Sequence, residues 1–260
     1  MDVKTAIQNG DAAALRQLLA EDSSRANELI RWGERKPCST HPLHFISDML
    51  FEGTLPQGKE IPLVDVLLDA GADLDFQRSR EDGKKGDTPL IGAASLGAED
   101  VGLRLLAAGA KPDLRGLFGE TALHWAALLG EDRLVAELIR GSNVNLRDEK
   151  YNSPPLGWAI HGWCDPPAGN HGRQREVVAL LVAAGRTSNR SGWNGRECVP
   201  IHKCSRRWAA GKAQRRLGPL ARVWREASYR EIPTVECFHM DVEPPNSLRR
   251  SAADVQSAIS

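Results

Sequence analysis

Three groups of side chains in this 260-residue chain are of the types from which catalytic or metal sites are built. The first is His161, Cys164, Asp165 and His171. Imidazole, thiol and carboxylate all ligate zinc, so a metal-dependent activity at the 161–171 loop is the chemistry this group would serve. The second is Cys198, His202, Cys204, Cys237 and His239. Zinc sites that are legible in sequence place their ligands in close Cys-x-x-Cys or His-x-x-x-His pairs, and neither group has that spacing. The third comprises His44 and His124, which occupy equivalent slots in recurring segments. No acid or nucleophile accompanies either at a fixed spacing, so both are expected to be structural. No GxxxxGK[ST] or GxGxxG phosphate-binding fingerprint follows a strand. The expectation is a protein that is not an enzyme, with no cofactor and no bound metal.

A fourth cluster is electrostatic. Lys203, Arg206, Arg207, Lys212, Arg215, Arg216, Arg222 and Arg225 are interleaved with Trp208 and Trp224. Such a segment attracts phosphates, so nucleic-acid association through residues 203–225 is the alternative to protein binding. The charge is divided along the chain: residues 1–185 hold 20 Lys+Arg against 27 Asp+Glu, and residues 186–260 hold 14 against 7. An acidic body therefore carries a basic tail. With 41% hydrophobic and 26% charged residues, the composition is that of an ordinary globular protein. No apolar run reaches the length a bilayer requires. The opening lacks a secretory pattern, and five irregularly spaced cysteines suit reduced thiols, so a cytoplasmic protein is expected.

The elements that position these residues are set by a repeat. Gly86-Asp87-Thr88-Pro89-Leu90-Ile91-Gly92-Ala93-Ala94 aligns with Gly119-Glu120-Thr121-Ala122-Leu123-His124-Trp125-Ala126-Ala127 and with Asn152-Ser153-Pro154-Pro155-Leu156-Gly157-Trp158-Ala159-Ile160, each offset by 33 residues. An earlier copy reads Thr40-His41-Pro42-Leu43-His44-Phe45-Ile46. Between these openings a Leu-Leu stripe recurs, ending at Gly71, Gly109 and, in the last copy, Gly185. A Thr or Ser cap followed by a first-turn Pro starts a short helix. The Ala-Ala pair lets a neighbouring helix approach closely, and Gly97 or Gly130 ends the helix. Gly71, Gly109 and Gly141 are then expected to close the second helix in a left-handed conformation. One such hairpin cannot bury its apolar face alone, so several must stack.

The 33-residue period, the Thr-Pro-Leu-His-like opening and the Leu-Leu-x-x-Gly-Ala-Asp ending resemble the ankyrin repeat. The resemblance implies an all-α fold, an α-solenoid of about five helix-turn-helix repeats joined by β-turn loops. The first unit spans Val3 to Ala20 with Asn9-Gly10 as its turn, and the others open near His41, Thr88, Thr121 and Pro154. The domain boundaries are 1–185 for the repeats and 186–260 for an irregular, weakly ordered basic segment. Within the latter only Trp208 to Ala227 has the spacing of a capping helix. Polar insertions, Gly53 to Lys59 and Cys164 to Gly172, are expected as exposed loops within units two and five, and Ser23 to Lys36 as an extended link.

The resemblance also implies non-catalytic protein–protein interaction. Partners would meet the turn tips and the inner face of the first helices, with the two inserted loops adding specificity. Carried onto this sequence, the tips are Lys84, Lys85 and Asp87, then Leu117, Phe118 and Glu120, then Lys150, Tyr151 and Ser153. The inner positions are Asp48, Met49, Ser95, Leu96, Leu128, Leu129 and His161. Leu117, Phe118, Leu128, Leu129 and Tyr151 stand out as apolar groups at positions expected to face a partner. Trp125 and Trp158 are expected to pack between helices. The partner is a protein of unidentified kind, nucleic acid is the alternative, and the chain is expected to be a monomer.

Overall fold

A computed structural model of the chain describes residues 1–33, 38–78, 85–164 and 171–188. Ten helices among these residues follow one another as five antiparallel pairs. They are α1 (Val3–Gln8) with α2 (Ala12–Glu21), α3 (Pro42–Phe51) with α4 (Glu60–Asp69), α5 (Pro89–Ser95) with α6 (Glu99–Ala107), α7 (Ala122–Leu129) with α8 (Asp132–Gly141), and α9 (Pro155–Cys164) with α10 (His171–Ser188). The first helices pack in succession, α1 on α3, α3 on α5, α5 on α7 and α7 on α9. The second helices form a parallel layer, α2 on α4, α4 on α6, α6 on α8 and α8 on α10. The core lies between the layers and consists of fully buried Leu, Ile and Ala, among them Leu43, Leu63, Leu67, Leu90, Ile91, Leu105, Leu123 and Leu134. Ala93, Ala94, Ala126 and Ala127 are wholly buried, as close helix approach requires.

Local chemistry fixes the helix starts. Asp2 and Asp11 accept the N–H groups of Thr5 and Ala14 at 2.8 and 2.9 Å, and Thr88 accepts that of Ile91 at 3.1 Å. At α3 the cap is the His41 ring, which accepts the Leu43 N–H at 3.3 Å. At α7 the His124 ring reaches back, its Nδ1 accepting the Thr121 N–H at 3.0 Å. Gly97 and Gly130 end their helices with φ of 76° and 77°, and Gly71 and Gly109 do so at 83° and 101°. Gly141 does not: it is the last helical residue of α8, and the extended Ser142 (φ −112°) ends that helix.

A second set of bonds ties each unit to the next. A side chain after one helix pair accepts a backbone N–H at the equivalent turn of the following pair: Asn27 from Asp73 at 2.7 Å, Asp75 from Lys111 at 2.9 Å, and Asp113 from Asn143 at 3.0 Å. Each gives an acceptor to a backbone N–H beyond the helix end, where the chain has left the helical ladder.

Three expectations change. The link expected over Ser23 to Lys36 contains a 3₁₀ turn at Ser23–Asn27 and a strand, β1 (Ile30–Trp32), which pairs antiparallel with β2 (Cys38–Thr40). The fold is therefore not wholly α. Alternation explains the ribbon: Cys38 and Thr40 are buried on either side of half-buried Ser39, and Trp32 packs edge-on against Phe45 at 5.7 Å. The loop from Gly53 to Lys59 is exposed apart from Leu55, which is 2% exposed and packs at the Gly10 turn of the first pair. Finally, α10 runs through Gly185 to Ser188. The expected capping helix at Trp208 to Ala227, the rest of the basic segment and the Asp165 to Asn170 part of the second loop lie outside the described residues.

Candidate interaction surface

The loops between helix pairs are built around inward-turned acids. In the loop before α7, the Gly116 N–H donates to the Glu120 carbonyl at 2.8 Å, and the Glu120 carboxylate accepts the Phe118 N–H at 2.7 Å and the Trp125 Nε1–H at 3.2 Å. Asp87, from the preceding unit, accepts the Leu117 N–H at 3.0 Å. Both carboxylates crowd Gly116: a methyl group there would sit 2.4 Å from Asp87 Oδ1 and 2.8 Å from Glu120 Oε1, so a larger residue would have to push both carboxylates off their N–H donors. Burial, reinforced by the neighbouring Asp87 charge, pushes the Glu120 carboxyl up to about 7.

The loop before α9 repeats the device with Asp148, which is 2% exposed. Its carboxylate accepts the N–H groups of Tyr151 and Ser153 at 2.6 and 3.0 Å and the Trp158 Nε1–H at 3.1 Å. That arrangement holds Asn152 at φ 49°, in the left-handed region that asparagine tolerates.

A rail of donors stitches the tips together. Gln77 donates to the carbonyls of Gly86 and Arg115 at 2.9 and 2.7 Å, Arg115 to those of Gly119 and Arg147 at 2.9 and 3.2 Å, and Arg147 to that of Asn152 at 2.8 Å. The Glu149 N–H adds a direct bond to the Phe118 carbonyl at 2.8 Å. Adjacent tips are thus bonded to one another, and such cross-bonding lowers the entropy lost when a ligand orders a loop.

An aromatic column rises beneath this rail. Trp125 and Trp158, each 8% exposed, meet edge-to-face at 5.1 Å, and Tyr151 continues the column at 6.0 Å from Trp158. Tyr151 is 55% exposed. The Lys150 ammonium lies 4.6 Å from the Phe118 ring centre and 5.2 Å from that of Tyr151. The result is a cation set between two aromatic groups.

Among the residues expected to meet a partner, Lys85, Lys150 and Tyr151 are exposed, and Asp87, Leu117, Phe118, Leu129, Ser153 and His161 are half-buried. Two are corrected. Glu120 is 0% exposed, because its carboxylate is the internal acceptor of the tip, and Leu128 is 4% exposed, because it packs inside the layer. Asp48 and Met49 are buried for the same reason, at 4% and 2%. Lys84 lies outside the described residues. The structure brings Phe118, Lys150 and Tyr151 together, whereas His161 stands apart on α9. Sequence reading missed Asp148, Arg115 and Arg147. The recurring Leu-Arg pairs, Leu114-Arg115 and Leu146-Arg147, were the available signal.

The histidines of the repeat openings are structural. His124 Nδ1 also takes the Thr121 hydroxyl at 3.0 Å, and Nε2 donates to the Ser153 carbonyl of the next tip at 3.2 Å. His44 Nδ1 meets Thr40 Oγ1 at 2.8 Å, and the Cδ2–Nε2 edge of its ring lies against Gly92. Burial holds both imidazoles, and that of His41, down at about 4, so all three are neutral at pH 7. Among the described residues no group of three or more His, Cys, Asp or Glu could hold a metal ion. The side chains of Cys164 and His171, Asp165, the cysteine–histidine group at 198–239 and the basic cluster at 203–225 are outside what is described.

Stacked helix hairpins with stitched, outward-facing tips define a repeat scaffold of the kind that presents a surface to a partner. Residues 54–148 match the family model of ankyrin repeats, in three copies, so this stretch of the chain is built of ankyrin repeats. Ankyrin repeats are in general protein–protein interaction modules and typically non-enzymatic. No curated protein matches the chain. Among the described residues, no helix is long and apolar enough to cross a membrane.

Proposed function

We propose that this chain is a non-catalytic, cytoplasmic module of five ankyrin repeats, acting as a monomer, that binds a protein partner through its turn tips and the adjoining face of its first helices. The three copies matched over residues 54–148 support the class of function. The observation that carries the surface is the exposed Tyr151 ring standing over a rigid rail, with Phe118 and Lys150 beside it. A large aromatic group held in place at an exposed position contributes contact area at little entropic cost, which is how interface anchors are built.

The test is affinity capture with mass spectrometry, comparing the full chain, Phe118→Ala/Tyr151→Ala, Arg16→Ala/Glu21→Ala on the exposed side of α2, and a truncation after Ser188. A protein lost only with the tip variant supports the reading. A protein lost with the truncation and kept by the tip variant places binding in residues 189–260 and refutes it.

A further inference from the structure

The body of the chain is acidic, yet its working tips are not. Of the acids in the two tips at 115–120 and 147–153, Glu120 and Asp148 are buried and spend their carboxylates on backbone and indole N–H groups. Glu149 is exposed, its side chain lying across Gly119. The cations are placed differently. Lys150 is exposed and has no carboxylate partner among the described residues, its ammonium resting against Phe118 and Tyr151. Arg115 is exposed and donates to two carbonyls, which carry no net charge to offset its own. Folding has therefore turned two of the three acids inward and left Lys150 and Arg115 outward, so the exposed charge of the two tips is one acid, Glu149, against two cations. A cation over aromatic rings in water is held much more weakly than one in a close, partly desolvated ion pair, so Lys150 is kept in place without being saturated.

We propose that the Phe118–Lys150–Tyr151 surface takes an extended protein segment bearing an aspartate or glutamate beside an apolar or aromatic side chain. The carboxylate meets Lys150 from the solvent side, within the field of Arg115, while the neighbouring side chain covers the Tyr151 ring. This rests on the reading of the tips as the binding surface and adds the chemistry of what they bind. The charge match does two things: it steers acidic segments to the tips, away from the acidic remainder of the chain, and it rejects basic ones by repulsion.

The experiment is to pan a random peptide library displayed on phage against the full chain. Enriched peptides are then measured by fluorescence anisotropy with wild type, Lys150→Gln and Tyr151→Ala, alongside peptide versions in which each acid is replaced by its amide. Both side chains tested, Lys150 and Tyr151, are exposed, so the variants keep the fold. The expected result is a consensus with an acid next to an aromatic or aliphatic residue. Its binding should weaken about tenfold with Lys150→Gln or with the amide peptide, and weaken further between 50 and 300 mM salt. A consensus without an acid, or binding that changes less than twofold on either neutralisation, overturns the acidic partner. If that binding is nevertheless lost in Tyr151→Ala, the tips remain the binding surface; if no selected peptide is sensitive to Tyr151→Ala, both readings fall.

Discussion

Glu120→Gln isolates one buried proton. In the folded chain the Glu120 carboxyl is pushed up to about 7 by burial and by Asp87, against an ordinary value of 4.5. Between these values the folded state holds a proton that the unfolded state has released, so unfolding releases it and stability falls as pH rises. The loss begins near pH 4.5, is complete somewhat above pH 7, and amounts to about 3 kcal/mol. Glutamine has the shape of the protonated acid and does not titrate. At pH 5 the variant should match wild type, or be weaker by about 1 kcal/mol, since an amide has one oxygen to offer the two donors Phe118 N–H and Trp125 Nε1–H. By pH 8 it should be the more stable protein. The assay is urea unfolding of both proteins at half-unit steps from pH 4.5 to 8. The difference between them cancels every titrating group that does not feel the Glu120 charge, and the prediction is a difference rising by about 3 kcal/mol in favour of glutamine. A flat difference across that range, or a downward one, would show that Glu120 is neither buried from water nor repelled by Asp87, and the account of the tip would be wrong.

The histidines give the opposite slope. With His41, His44 and His124 at about 4 in the folded chain against 6.5 unfolded, stability is intact above pH 6.5 and falls as pH drops through that window, by up to about 3 kcal/mol for each; histidine proton resonances titrating with midpoints near 4 in the folded protein would check it. Gly92→Ala places a methyl 1.8 Å from His44 Cδ2, so it should destabilise by about 2 kcal/mol despite alanine's better helix propensity, and a double-mutant cycle with His44→Ala should recover most of the loss. Glu131 is wholly buried, with neither carboxyl oxygen partnered, and burial raises its carboxyl well above the ordinary range. Glu131→Met should therefore leave stability unchanged or raise it by about 1 kcal/mol at pH 7, measured by thermal unfolding.

The repeat was legible because it is a pattern of residue types at fixed spacing. The openings at Thr88 and Thr121, the Ala-Ala pairs and Gly97, Gly130, Gly71 and Gly109 each act through local backbone geometry, which a sequence displays directly. Gly141 misled for the same reason: the residue type fitted the slot, but the chain remains helical through it and turns at Ser142. The turn tips were legible as positions and not as exposures. Glu120 sits in the same register as Asp87 and Ser153, yet it alone of the three is wholly buried, because the Trp125 indole and the Phe118 N–H both converge on its carboxylate. Which acid turns inward depends on donors supplied from elsewhere in the loop and from the adjoining helix. The Gln77–Arg115–Arg147 rail was hidden in a similar way, since its acceptors are backbone carbonyls, which every residue type provides. The ribbon at Ile30–Trp32 and Cys38–Thr40 lies outside the repeat period, and short apolar runs alone do not separate strand from link.

The central claim is that the turn tips are where this protein meets its partner. Hydrogen-exchange mass spectrometry of the captured complex against the free chain tests it most directly. The account predicts slowed exchange in the peptides covering residues 114–120 and 147–153, with the outer-layer helices α2 and α4 unchanged. Slowed exchange confined to residues 189–260 or to α2 and α4, with both tips unaffected, would contradict it.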